Sequence, residues 1–387
     1  MCDFLIVGGG INGLLLAREL AQAKAQVVLV ERGFCGKEAS WAGGGIISPL
    51  YPWKYSPEIT ALASWAQDFY PALVEELLGE TGIDAELQTS GLLMLDADNE
   101  ELALAWARDN ARRMERLEPH EIISRETNLN RAFSSALWMP DVANVRNPRL
   151  IQALVASLKA QANVSIVEHA TVTGFEKDTE FVRGINVLQD GVAKHLDAGA
   201  VIVSAGAWTG SLLGSVGIDL PIEPVKGQML LFEMPQHTVN SIVLSAGRYL
   251  IPRRDGLLLA GSTLEYSGFD KTATDEARAD LLQSARLLLP ALAEVNPIGH
   301  WAGLRPGAPQ GIPFIGKLPS WRNMYVNAGQ FRNGLVLAPA SARLLADSLL
   351  NRNPILDPTP YTPEFRVQGS ECGSVEMSYS RPSFFKR

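Results

Sequence analysis

Phe4-Leu5-Ile6-Val7-Gly8-Gly9-Gly10-Ile11-Asn12-Gly13 is the stretch that decides the fold. A short apolar run is followed at once by G-x-G-x-x-G. Leu14–Ala23 then places apolar residues at helical spacing, and Val27–Val30 is a second β-branched run. Strand, turn, helix and strand in that order make one βαβ unit of a parallel sheet. Gly8 permits a tight turn, Gly10 lets the backbone approach a pyrophosphate, and Gly13 lets helix and strand pack closely. The helix start offers free N–H groups to phosphates. Glu31 ends the second strand, where a carboxylate accepts hydrogen bonds from ribose hydroxyls and repels a 2′-phosphate. A glycine-rich turn without a ligand would explain neither Glu31 nor the helix start.

Two more glycine turns fall at strand-to-helix junctions. They are Ser204-Ala205-Gly206-Ala207-Trp208 and Gly329-Gln330-Phe331-Arg332-Asn333-Gly334. A long dinucleotide such as FAD needs more backbone contacts than one βαβ unit supplies, so FAD is favoured over NAD.

The remaining pattern predicts helices over Glu58–Leu78, Asn99–Leu117, Asn147–Ala162, Thr274–Leu289 and Gly334–Leu350. Leu87–Leu95, Val164–Val167, Thr171–Glu176, Val182–Val187, Val201–Ser204 and Asn323–Asn327 read as strands, and Pro221–Leu264 as strands alternating with turns. The expected fold class is α/β: a discontinuous Rossmann-type βα core that its glycine turns mark for FAD binding, with a mostly antiparallel α+β lobe inserted in two pieces. The boundaries expected are 1–82, 142–218 and 299–360 for the first, 83–141 and 219–298 for the second, and 361–387 as an irregular tail, loosely packed from about Val367.

The chain has 387 residues, 47% apolar and 20% charged, with a net charge of −8 and no basic stripe. Nucleic acid and anionic membrane surfaces are poor partners for such a chain. Cys2, Cys35 and Cys372 are scattered, without CxxC, and the histidines lack HExxH spacing. Neither a disulfide framework nor a metal site is expected. No apolar run is long enough for a membrane span, and no basic region precedes Phe4. A cytoplasmic protein without a cleaved signal or stable membrane insertion is the expectation.

Five stretches together carry a family resemblance. They are Val7–Gly13 with Glu31; Ala39-Ser40-Trp41-Ala42-Gly43-Gly44-Gly45; Pro224-Val225-Lys226-Gly227-Gln228; Trp301-Ala302-Gly303-Leu304-Arg305-Pro306-Gly307; and Gln330-Phe331-Arg332-Asn333-Gly334. Tyr249-Leu250-Ile251-Pro252-Arg253 adds a further point. Over about residues 4–350 the chain resembles the glycine oxidase and D-amino-acid oxidase flavoproteins, most closely the glycine oxidases of thiamine biosynthesis.

The resemblance implies FAD-dependent oxidative deamination of glycine, sarcosine or small D-amino acids. Flavin would take the hydride and oxygen would reoxidise it, giving hydrogen peroxide. Arg305 and Tyr249 would hold the substrate carboxylate, and Arg332 would shape the pocket. No catalytic protein residue is required beyond the flavin. FAD contacts are implied at Gly8, Gly10, Ile11, Asn12, Gly13, Glu31, Arg32, Ala39, Ser40, Gly44, Gly45, Ile46, Val172 and Gly206. The turn Gln330, Phe331, Arg332, Asn333, Gly334, Leu335 and Val336 completes the set. Lys226 is expected to support the sheet and Trp41 to pack against the cofactor loop. Gly247 and Leu264 stand where a histidine and a methionine occur in one branch of the family.

Related sarcosine oxidases attach FAD through a cysteine, but Pro306–Gly316 contains none. Non-covalent FAD is therefore expected. Partners would be a small amino acid and O2, with a dimer or tetramer left open. Three alternatives stay in view: a D-amino-acid dehydrogenase feeding a quinone, a non-catalytic flavin-binding subunit, and a tRNA-modifying flavin oxidase.

Overall fold

The computed structural model describes residues 1–364. Cys2–Val7 forms the centre of an eight-stranded sheet, flanked in parallel by Val27–Val30 and Val192–Val203. Val164–Val167 and Met324–Ala328 extend it in parallel on the two sides, and Phe314–Lys317 closes one edge antiparallel. Val27–Val30, Met324–Ala328 and the carboxyl ends of Cys2–Val7 and Val192–Val203 are largely buried and mostly apolar, as strands covered on both faces are. Helices Ile11–Gln22, Pro57–Thr81, Asn147–Lys159 and Gly334–Leu349 contribute to a core against one face. The strands Ala170–Asp178 and Phe181–Gln189 branch off the long strand Val192–Val203.

The second sheet also has eight strands. Its order is Gly299–Gly307, Glu223–Glu233, Leu257–Gly261, Arg248–Pro252, Ile242–Ser245, Leu92–Leu95, Ala136–Met139 and Glu115–Leu117. Every pairing is antiparallel except Ile242–Ser245 with Leu92–Leu95. Side chains alternate between its faces. Leu93, Leu95, Leu230, Phe232 and Leu250 pack under helix Asp275–Leu288, whose Leu281, Ala285 and Leu288 join the same core. Leu92, Met94, Met229, Tyr249 and Ile251 form the other face.

Several expectations need correction. The helix expected over Asn99–Leu117 ends at Asp109, because Ala111 turns into a left-handed conformation at φ 51°. Glu115–Leu117 is instead an edge strand on Ala136–Met139. The strand expected over Leu87–Leu95 is broken at Gly91 (φ 71°), where a Cβ would collide with the Trp138 ring. Gly299–Gly307, expected with the first region, hydrogen-bonds along its length to Glu223–Glu233 and so belongs to the second sheet. Tyr361, expected in the irregular tail, is buried, and its hydroxyl donates to the Glu58 carbonyl at 2.8 Å. The loose packing expected from Val367 lies outside the described residues.

Candidate active site

A cavity of about 480 Å³ opens where the carboxyl ends of Cys2–Val7, Val27–Val30 and Val192–Val203 meet the second sheet. Ligand sites of open α/β sheets lie at this kind of edge, and the volume falls in the usual range for them.

The glycine turn builds one wall. Gly8 has φ 112°, and a Cβ there would collide with the Ser204 carbonyl. A Cβ on Gly13 would collide with the Gly8 carbonyl, so the helix packs directly on the turn. At Gly10 a Cβ would meet only the Ser40 hydroxyl, at 3.4 Å, which leaves its backbone open to the cavity. Ser40 Oγ accepts from the Ile11 N–H at 2.9 Å, joining the Ala39–Ala42 helical turn to the glycine turn.

Glu31 follows its strand and accepts from the N–H groups of Gly9 (2.8 Å) and Gly33 (3.0 Å). Its carboxylate keeps acceptor capacity for further donors. Next to it, the Arg32 guanidinium lies 3.8 Å over the Trp208 ring and pairs with Glu38 at 2.8 Å.

The opposite end carries positive charge. Arg305 and Arg332 both border the cavity, with Tyr249 beside them. Arg305 donates to Ser262 Oγ at 2.8 Å and to the Thr263 carbonyl at 3.2 Å. The residue as a whole is half-buried, but its guanidinium is desolvated. Burial pushes its pKa below the ordinary arginine value; Tyr249 opposes this, and the like charge of Arg332 adds to it. Arginine still stays protonated. A desolvated Arg305 guanidinium with the like charge of Arg332 nearby favours an anion beside it. The Tyr249 hydroxyl, at 3.4 Å from the Met229 sulfur, has only a weak acceptor there.

All the expected cofactor positions border this cavity except Gly13, which acts one layer behind it through Gly8. Lys226 is buried and paired with Glu265 at 3.0 Å, away from the cavity. Trp41 packs against Trp301 at 5.3 Å between ring centroids. Neither Gly247 nor Leu264 borders the cavity, and Leu264 is exposed.

Other residues escaped the sequence reading. Asn147 reaches the cavity from the first turn of its helix and donates to the Ser40 carbonyl at 3.0 Å. Arg253 comes from the second sheet and holds the carbonyls of Gly44 and Val145, each at 2.8 Å, which fixes the Gly43–Gly45 segment. Burial lowers its pKa to about 10. Arg253 ends the Tyr249–Arg253 stretch, yet nothing local to it signals a partner more than 200 residues away.

The lining also contains unmet hydrogen-bonding capacity. Asn12 Oδ1, Asn147 Oδ1, Gln330 Oε1 and Asn333 Nδ2 are buried without a partner in the chain. Buried polar atoms are normally satisfied, so such a cluster around a cavity points to a polar ligand. A glycine-lined turn, a ribose-type carboxylate, two helix N-termini and these amides, spread along one cavity, suit an elongated dinucleotide. The observations thus fit FAD.

Known proteins agree. The family described as DAO, FAD dependent oxidoreductase, matches residues 3–348. A glycine oxidase of Pseudomonas aeruginosa is 52% identical over 363 residues, covering 94% of this chain and 99% of that protein. A glycine oxidase of Pseudomonas putida is 51% identical over the same length, covering 94% and 98%. Among solved structures, glycine oxidase from Geobacillus kaustophilus superposes with a TM-score of 0.86 at 29% identity, covering 93% of this chain and 98% of that one. With a family match over most of its length, the chain belongs to the DAO family of FAD dependent oxidoreductases.

Proposed function

We propose that this chain oxidises glycine and other small amino acids, sarcosine and small D-amino acids among them, with oxygen as the electron acceptor. The observation that carries this is the Arg305–Arg332–Tyr249 group facing the cavity opposite the glycine turn. The glycine oxidase relatives at 52% and 51% identity support the same reading. A role in thiamine biosynthesis belongs to this reading through the family resemblance.

FAD would be held by the Gly8–Gly13 turn, Glu31, the Ala39–Ile46 segment, Val172, Gly206 and the Gln330–Val336 turn. When bound, it supplies removal of a hydride from the substrate's Cα and delivery of the electrons to O2 as hydrogen peroxide; the imine product then hydrolyses to an oxo acid and ammonia or amine. The protein's own work is positioning. An amino acid always offers one carboxylate, and Arg305 can grip it with parallel hydrogen bonds. Tyr249 would donate to the same carboxylate. Fixing that end sets where Cα lies, and such orientation is a large source of rate. The carboxylates bordering the cavity among the described residues, Glu31 and Glu38, are tied up at the other end, so neither serves the amine as a base. The amine therefore loses its proton to solvent, and the rate follows its own titration upward with pH.

Anaerobic titration with glycine, sarcosine, D-alanine and D-proline tests the proposal. Bleaching of the flavin absorbance, faster at higher pH, is expected with at least glycine. A yellow protein that none of them bleaches would reject it. Bleaching combined with quinone-dye reduction and no oxygen uptake would instead make the chain a dehydrogenase.

FAD attachment is proposed to be non-covalent. Acid precipitation should leave a white pellet and a yellow supernatant. Colour retained in the pellet would contradict this.

Three further properties complete the proposal. The first-sheet and second-sheet regions act as cofactor and substrate domains. The protein works in the cytoplasm; among the described residues no helix is long and apolar enough to cross a membrane. It forms a homo-oligomer.

A further inference from the structure

We infer that Glu265, together with Lys226 and Gln228, positions the Arg305 clamp through a bulge at Ser262–Leu264. This rests on the proposed amino-acid oxidation and assigns it residues that do not touch the substrate.

The register carries the argument. Strands Glu223–Glu233 and Leu257–Gly261 pair regularly up to Met229 opposite Gly261. Pairing resumes at Lys226 opposite Glu265, with both backbone hydrogen bonds made, at 2.8 and 3.0 Å. Between these points Gly227 and Gln228 face Ser262, Thr263 and Leu264, so one side carries an extra residue. This is the arrangement of a β-bulge, a device that re-aims groups next to active sites.

Its effect here is specific. The Gln228 N–H donates to the Thr263 hydroxyl at 2.9 Å. The Thr263 carbonyl is left to accept from Arg305, and Ser262 Oγ accepts from the same guanidinium. The guanidinium lies over Gly227, where any Cβ would collide with it.

The bulge is locked from behind. The Thr263 hydroxyl donates to Glu265. Glu265 also accepts from Gln228 Nε2 at 2.9 Å and pairs with Lys226 Nζ at 3.0 Å. Gln228 Oε1 accepts from the Thr274 N–H at 2.9 Å and faces His300 Nε2 at 3.0 Å, tying in the start of helix Asp275–Leu288. Lys226, Gln228, Ser262 and Thr263 are all buried. A buried lysine needs its carboxylate, and a satisfied buried network fixes one conformation. Lys226, Gln228 and Glu265 stay outside the cavity wall, so their influence passes through Arg305.

Two variants test this in the FAD-loaded enzyme. Thr263→Val removes the hydroxyl and keeps the shape. The double variant Lys226→Met with Glu265→Ala removes the lock without leaving a buried charge unpaired. Each is expected to raise KM for glycine, and Kd for acetate read from the flavin spectrum, by about tenfold or more. FAD affinity should change little by comparison. Thr263→Ser, which keeps the hydroxyl, should restore much of the loss. Lowered melting temperature with unchanged KM and unchanged acetate Kd in Thr263→Val would overturn the inference, reducing the network to sheet support. Should the unaltered protein respond to neither glycine nor acetate, the oxidase proposal itself fails, and the inference with it.

Discussion

The Gly13→Ala variant is expected to purify colourless. A methyl group there would run into the Gly8 carbonyl, which is backbone and cannot swing aside. Helix Ile11–Gln22 must then lift off the turn, at a cost of ~1–3 kcal/mol for overpacking. The same shift withdraws the helix's first N–H groups from the pyrophosphate and strains the Ile11–Ser40 bond. A loss of ~3 kcal/mol in binding corresponds to about a hundredfold weaker FAD affinity. Titration of apoprotein with FAD, followed by flavin fluorescence, measures it. Gly79→Ala is the matched control. That glycine lies within the helix Pro57–Thr81 with nothing within 4 Å of its would-be Cβ, so the variant should stay yellow. Equal FAD affinity in Gly13→Ala and the unaltered protein would remove the glycine turn from the cofactor site.

Arg305→Leu should keep its flavin and lose amino-acid oxidation. Each hydrogen bond to a charged partner contributes roughly 1.5–3 kcal/mol. Losing a two-pronged grip therefore costs about 3–6 kcal/mol, or roughly 10²–10⁴ in kcat/KM. Arg305→Lys should recover only part, since an ammonium cannot present two parallel donors. Rapid-mixing measurement of flavin reduction by glycine, without oxygen, isolates the step. A fall of less than about tenfold would mean that the carboxylate is held elsewhere, with Arg332 the first candidate.

These two sites differ in how openly the sequence declares them. The glycine turn is a local signal: strand, turn and helix are contiguous, and the steric demands at Gly8 and Gly13 arise within a few residues of chain. Glu31 is legible for the same reason. Arg305 sits between Leu304 and Pro306 in a stretch with no helical or alternating apolar pattern, and only the family resemblance marked it. Its setting depends on register with a strand about eighty residues earlier, opposite Val225 and beside Gly227. The bulge that frees the Thr263 carbonyl is likewise a difference between two distant strands, invisible in either one. Asn147 reads locally as the opening of a helix, and its place at the cavity comes from the packing of that helix against Ala39–Ala42. The over-long helix after Asn99 failed for another reason. Apolar spacing continues past Asp109, while a left-handed Ala111 is a backbone event that composition does not announce.

The late arrival of the strand Gly299–Gly307 has a consequence for synthesis. It forms an edge of a sheet begun at Leu92, and the other sheet, begun at Cys2, takes its last strands from Phe314–Lys317 and Met324–Ala328. Neither layer can be finished on the ribosome until nearly the whole chain has emerged. Until then the apolar strand Glu223–Glu233 lacks a neighbour on one side, a surface to which nascent chains stick. Late, nearly simultaneous closure of both layers is expected to leave newly made protein prone to aggregation until these last strands dock.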